Sequence, residues 1–263
     1  MNILRNMTNN NSIFTLRISA NSITIAQPGN PPSGETVMGK GVAAALLVRQ
    51  ALDHPLLTQA TNVRVMVDTP VLLLPQGEHD EEEQGILFDY TFSAHQHDTK
   101  LTTVIDDMQC VAVWPVKHEV KGAIDNRFAH AQYMPAALPV WRTLHHHARS
   151  SKEHRLYVYG HDQKIDVLCF MHNRIRFSNT FSAEHAHDAL YYILYVWRQL
   201  AMHDERDQLW LYGTLPHEEW LLPRLRHHLP QVQMLARDEG LRHPQWADMA
   251  SLPIDIITLL DQD

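Results

Sequence analysis

Two groups of residues in this chain have types and spacings that invite a chemical reading. Gly34 to Gly41 (GETVMGKG) spells G-x-x-x-x-G-K, one residue short of a phosphate-binding loop. Gly41 stands where a Ser or Thr would ligate magnesium, and Asp68 closes an apolar segment as the acid of a second nucleotide motif would. Against this, Pro28, Pro31 and Pro32 separate the stretch from the strand before it. A phosphate loop is fed directly by its strand, so that its amides converge at a helix start. The expectation is a flexible surface loop. The second group is histidine, 19 of 263 residues, including His95-x-His97, His145-His146-His147, His185-x-His187 and His227-His228. Two ligands share a helix face at spacings of three or four, and a strand face at two. His185 and His187 fall on a predicted helix and would point apart. His145 to His147 fall at a predicted helix end, where positive charge complements the dipole. No Cys or Glu cluster accompanies any of them, so no metal site is expected. The chain contains no G-x-S-x-G, H-E-x-x-H or C-x-x-C, which leaves serine and cysteine nucleophiles without support.

The elements that would position any site are clearest in the second half. Arg155–Tyr159, Lys164–Phe170 and Arg174–Thr180 read as three strands joined by short turns, an antiparallel meander. In the middle strand Ile165, Val167 and Cys169 share one face, and Asp166, Leu168 and Phe170 the other. Ser182 is the expected N-cap of a helix, with Glu184 in its first turn. That helix carries Ala186, Ala189, Leu190, Ile193, Val196, Trp197 and Leu200 on one stripe. Strand Gln208–Tyr212, a helix beginning at Pro216, and strand Val232–Leu235 complete a β-β-β-α-β-α-β order, that of a ribonuclease-H-like unit. The first half repeats the opening: strands at Ile13–Ser19 and Ser22–Gln27, a Pro/Gly-rich interruption, a helix at Val42–Leu52 and a strand at Val63–Val67 continuing through Val71–Leu74. Gln76–Gln84 reads as an acidic loop. Ile86–Phe92 and Cys110–Val116 read as strands, and Lys117–Phe128 and Pro139–Ala148 as helices. The division expected is a lobe of residues 1–150 and a lobe of residues 151–263, with the boundary near 149–153.

Composition narrows the classes. The chain is 44% hydrophobic and 20% charged, which suits a folded protein. The formal charge of −8 and the lack of a basic stripe disfavour nucleic acid as a partner. No apolar run approaches the roughly 20 residues that cross a bilayer. The start lacks a secretory pattern, and Cys110 and Cys169 lie far apart, so a reducing cytoplasm is the expected location.

Several stretches carry a more specific likeness: LRISANSITIAQ, VRVMVDTPVLLLP, CVAVWPVKHEVKGAIDNRF, and SAEHAHDALYYILYVWRQL followed by LWLYGTLP. Together they resemble an uncharacterised Bacteroidetes family with the actin-like ATPase fold, similar in turn to pilus-assembly and secretion scaffold proteins. The likeness runs from about Ile13 to Leu235. It implies two ribonuclease-H-like subdomains around a cleft. Active members grip phosphates with the hairpin joining the first two strands of each half, usually D-x-G, and hold adenosine at a paired glycine. Here the first hairpin, Ser19-Ala20-Asn21-Ser22, has neither glycine nor acid. The second, Gly160-His161-Asp162-Gln163, has both without the D-x-G order, and the adenosine position would be Gly213-Thr214 with a single glycine.

The resemblance thus implies a pseudo-ATPase: a non-catalytic scaffold or regulatory module that binds a protein partner and needs no cofactor. An exposed sheet edge, or the helix carrying Trp220, could supply the contact. The alternative is a divergent ATP-binding ATPase or phosphotransferase using ATP and magnesium, with Gly160, Asp162, Gly213 and Thr214 as its nucleotide residues. A nuclease is disfavoured, because neither first strand carries the required acid. Asp166, in a second strand, is expected to be solvated or at a sheet edge.

Overall fold

A computed structural model describes residues 13–58, 60–149, 154–171, 174–249 and 251–262. The expected boundary at 150–153 and the turn at 172–173 lie outside the described residues. Thirteen strands and seven helices fall within them. The first sheet is built from β1 (Phe14–Ile18), β2 (Ser22–Gln27), β3 (Ser33–Met38), β4 (Val63–Val67) and β8 (Ala131–Pro135), in the order β3-β2-β1-β4-β8. The second uses β9 (Arg155–His161), β10 (Lys164–Met171), β11 (Arg174–Ser182), β12 (Gln208–Gly213) and β13 (Val232–Met234), in the order β11-β10-β9-β12-β13. In both, three antiparallel strands are followed by two parallel ones. The same ribonuclease-H-like plan therefore occurs twice. Between β4 and β8 the first copy carries an inserted sheet, β5-β7-β6, made of β5 (Leu72–Pro75), β6 (Thr99–Ile105) and β7 (Cys110–Val116).

Helices pack in pairs: α1 (Ala44–Leu52) with α3 (His118–Arg127), α5 (Ala186–Gln199) with α6 (Glu218–His228), and α4 (Leu138–Ala148) with α7 (Ile254–Gln262). Strand alternation assigns each side chain to a layer. Leu156, Val158, Ile165, Val167 and Cys169 join the core with α5 and α6. Tyr157, Tyr159, Leu168 and Phe170 face the other way and join one continuous core with α4, α7 and the first sheet. The α4–α7 pair is thus the layer shared by both sheets. Every residue of α7 from Ile254 to Asp261 is buried. Its end is anchored by Asp261, whose carboxylate accepts from the amides of Arg242 and His243.

The structure corrects several expectations of the first half. Ser33–Met38 is an edge strand on β2, not a flexible loop; Thr24 and Thr36 pair their hydroxyls across it at 2.9 Å. Alternate amides enter the ladder with β2 and the others turn outward along an extended strand, so they cannot converge on one phosphate. Ile86–Phe92 is not a strand, because Glu81–Thr91 forms helix α2. Asp80 and Glu83 close a capping box on it, and Glu81, Glu82 and Glu83 lie in the first turn, where the dipole favours acids. The acidic run is thus a helix start. Strands β6 and β8 were not expected at all. In the second half, Ser182 ends β11, and α5 begins at Ala186 behind His185, which makes no side-chain cap. Helix α6 begins at Glu218 rather than Pro216, after His217 in a left-handed conformation.

Because α7 completes the shared layer, Ile257→Ala, at a fully buried position, is expected to lower stability by about 2–5 kcal/mol in urea unfolding, the range for large core truncations.

Candidate functional site

Charged side chains join the second hairpin to the first sheet and to α7. Arg17 lies on β1, the central strand of the first sheet, and is 3% exposed. Its Nε donates to Asp255 Oδ2 on α7 at 2.7 Å, and its Nη2 to Asp162 Oδ2 at 2.5 Å. Asp162 and Gln163 both have positive φ, the primed two-residue turn that matches strand twist. That turn aims the Asp162 carboxylate at the opposite sheet. Beside it, Lys164 Nζ reaches Asp68 Oδ2 at 2.7 Å, and Asp68 sits just past β4 of the first sheet.

His161 completes the cluster. Its ring stacks on Tyr159 at 4.6 Å between centroids. Nδ1 is 3.4 Å from Asp162 Oδ2, and Nε2 is 3.2 Å from Asp166 Oδ2. The second contact lacks hydrogen-bond alignment, so it is a charge pair rather than a bond. Asp166 is neither solvated nor at a sheet edge, as the sequence suggested. It is 2% exposed and accepts from Trp141 Nε1 at 2.9 Å and Thr180 Oγ1 at 2.7 Å.

Burial alone would lower the His161 pKa; the charge of Asp166 and the Asp162 hydrogen bond overcome it and raise the value to about 10. Burial would raise both Asp162 and Asp166. The His161 hydrogen bond and Arg17 hold Asp162 far below the usual carboxylate range, and His161 also lowers Asp166. Asp255 shifts upward, because its burial outweighs Arg17. Three cations, Arg17, His161 and Lys164, thus face four carboxylates, the most buried of which is eased toward neutrality. The cluster is close to self-neutral.

Asp68, His161 and Asp162 place ligand atoms within 4.8 Å of one another, the only group among the described residues that could hold a metal ion. Each of these donors already has a partner within the cluster: Arg17 pairs with Asp162, Lys164 with Asp68, and His161 lies between Asp162 and Asp166. None of the four histidine patterns singled out in the sequence forms such a group among the described residues. His145 packs on Phe170, His147 bonds the Tyr157 hydroxyl, and His187 packs at a tilt on Trp220.

The other nucleotide candidates have backbone roles. A Cβ at Gly160 would lie 2.5 Å from the Thr214 carbonyl oxygen, and one at Gly213 (φ +82°) would meet Gly160 O and the Tyr159 ring. Thr214 N donates to Gly160 O at 2.7 Å. These glycines let the ends of β9 and β12 close together. The first hairpin closes on itself, with Ser19 Oγ and Ser22 Oγ 2.8 Å apart. Sequence reasoning singled out Asp162 as a nucleotide residue and did not bring Arg17, His161, Asp68, Lys164 and Asp255 together around it. The available signal was a lone charge inside an apolar run: Arg17 in FTLRI and Asp255 in IDIITLL.

A family profile described as protein of unknown function (DUF3822) matches residues 42–232. The chain belongs to the DUF3822 family. A Bacteroides thetaiotaomicron protein described as having an actin-like ATPase fold and unknown function is 18% identical, with a TM-score of 0.82 over 98% of this chain and 99% of that one. This DUF3822 chain therefore has the actin-like ATPase fold. The PilM–PilN type IV pilus biogenesis complex is a second neighbour, 11% identical, with a TM-score of 0.55 over 95% of this chain and 97% of that one. A search of curated proteins finds no match. No helix among the described residues is long and apolar enough to cross a membrane.

The folded protein keeps a proton on His161 that the unfolded chain releases near pH 6.5. Its stabilisation is complete below about pH 6.5 and is lost as pH rises toward about 10. The depressed Asp162 and Asp166 act oppositely, stabilising above about pH 4 and less as pH falls through their lowered values. The stability difference between wild type and His161→Gln is therefore expected to shrink by about 1 kcal/mol per pH unit between roughly pH 7 and 8. Urea unfolding at stepped pH measures it; a flat difference would mean that His161 is neutral in the fold.

Proposed function

We propose that this protein is a pseudo-ATPase: a non-catalytic scaffold or regulatory module that works by binding another protein. One observation carries the reading. Beside the second hairpin, one of the two that hold phosphates in an actin-like ATPase, Arg17 of β1 is tied to Asp162 of that hairpin and to Asp255 of α7. A triphosphate entering there would meet Asp68 and Asp162. The cations it needs, Arg17 and Lys164, are already paired. Opening a buried ion pair by removing a partner costs about 3–5 kcal/mol, a charge against any incoming anion. The residues present do not fit ATP with magnesium. Gly160, Asp162, Gly213 and Thr214 are better read as parts of the closure than as nucleotide ligands.

The division into lobes of residues 1–150 and 151–263 belongs to this reading, with the cluster as the clasp between them. PilM, a neighbour in fold, is described in complex with PilN, which is in keeping with partner binding as the mode of action. We place the protein in the cytoplasm, where Cys110 and Cys169, both buried and unpaired, would stay reduced.

Isothermal titration of the full chain with ATP, ADP and magnesium tests this directly. No saturable heat is expected up to about 1 mM nucleotide, and a Kd below about 100 µM, worth more than about 5 kcal/mol, would overturn the reading.

A further inference from the structure

Two open sheet edges face each other across a cleft of about 770 Å³, outside the ion-pair cluster. One wall is β5, the edge of the inserted sheet; the other is β11, the edge of the second sheet. Register determines which backbone groups point into the gap. Gln76 N donates to Gln109 O, so Gln76, Leu74 and Leu72 turn toward β7 and Leu73 turns outward. Ala183 N donates to Gln163 O, so Phe181, Asn179 and Phe177 turn toward β10, and Ser178 and Thr180 turn outward.

The two ends of this open stretch are blunted. Pro75 has no amide to offer, and the Thr180 amide is taken by Asn179 Oδ1 at 2.9 Å. Between them, the Leu73 and Ser178 amides have no partner among the described residues. The floor carries half-buried Leu73 and Ile175, which pack against the same core, while Phe177 packs with α5 and α6 on the other face of its sheet. Arg174 Nε is occupied by Gln109 Oε1 at 2.6 Å, a bridge across one end of the cleft. Arg176 is exposed and has no carboxylate partner among the described residues. The opposite wall carries Glu78 and Asp106, and Asp106 already accepts from Gln76 Nε2.

We infer that this cleft receives an extended peptide of a partner protein as an added β-strand, apolar at the positions over the floor and acidic beside Arg176. Main-chain pairing to Ser178 and Leu73 would join the two sheets through the new strand, and pockets between alternate residues would select the side chains. The carboxylate beside Arg176 supplies the charge complement that its wall lacks. This inference rests on reading the protein as a partner-binding module and names the surface and the chemistry of the partner.

The probe is a phage-displayed library of random dodecapeptides selected on the full-length protein, followed by fluorescence anisotropy with the synthetic winners. Extended sequences with alternating apolar residues and an Asp or Glu are expected. Their binding should protect the Leu73 and Ser178 amides from hydrogen exchange at least tenfold. Ser178→Pro deletes an outward amide and no ladder bond, and should weaken binding at least tenfold. Arg176→Glu, at an exposed site, should weaken it at least fivefold and keeps the test valid if the proline variant does not fold. Winners that leave both amides unprotected and bind both variants within twofold of wild type would overturn this surface while leaving the binding-module reading intact. No enrichment at all would also overturn it. The nucleotide titration, by contrast, decides the wider reading alone.

Discussion

The Arg17 guanidinium organises the molecule. An always-charged group buried at the centre of the first sheet has to be met by anions, and the fold brings them from two distant places. Asp255 comes from α7, 238 residues away in sequence, and Asp162 from the turn of the second sheet, 145 residues away. Neither sheet satisfies Arg17 alone. The charge therefore specifies how the two copies of the ribonuclease-H-like plan sit against each other, a task that apolar packing of α4 and α7 leaves less sharply defined. The stability gained from such a buried cluster is modest, because desolvation offsets most of the attraction, whereas breaking it is costly. Its value lies in geometry.

The same cluster accounts for the chemistry of the cleft. An actin-like ATPase needs backbone amides and free cations around its phosphates. Here Arg17 and Lys164 face three aspartates, and His161 sits between one of these, Asp162, and a fourth, Asp166. Gly160 and Gly213, which could be taken for remnants of nucleotide loops, are required by the close approach of β9 and β12.

The second sheet was legible in the sequence because β10 is buried on both faces and flanked by tight turns; KIDVLCF alternates cleanly and its two faces are those observed. The ribonuclease-H-like order of the second half was likewise legible from its strands, and the actin-like plan as a whole from the resemblance. The first half was harder for physical reasons. SGETVM is an edge strand with mostly exposed positions, so it lacks the apolar alternation that marks a strand. The helix at Glu81–Thr91 leaves Ile86 and Tyr90 exposed, so its apolar residues imitated a strand, and the decisive signal was the cap at Asp80. Of the cluster, Asp162, Asp68 and Asp166 were singled out in the sequence, each for a different reason and none as a partner of the others. The remaining partners are joined by contacts between sheets, and no local spacing encodes them.

The central claim is that Arg17 and Asp162 act as one unit across the cleft. A double-mutant cycle on Arg17→Met and Asp162→Asn, read as urea stability at neutral pH, measures it most directly. The account requires a coupling energy of about 2 kcal/mol, within the range for residues of one buried network. Effects that add to within about 0.5 kcal/mol would contradict it, since independent sites behave that way.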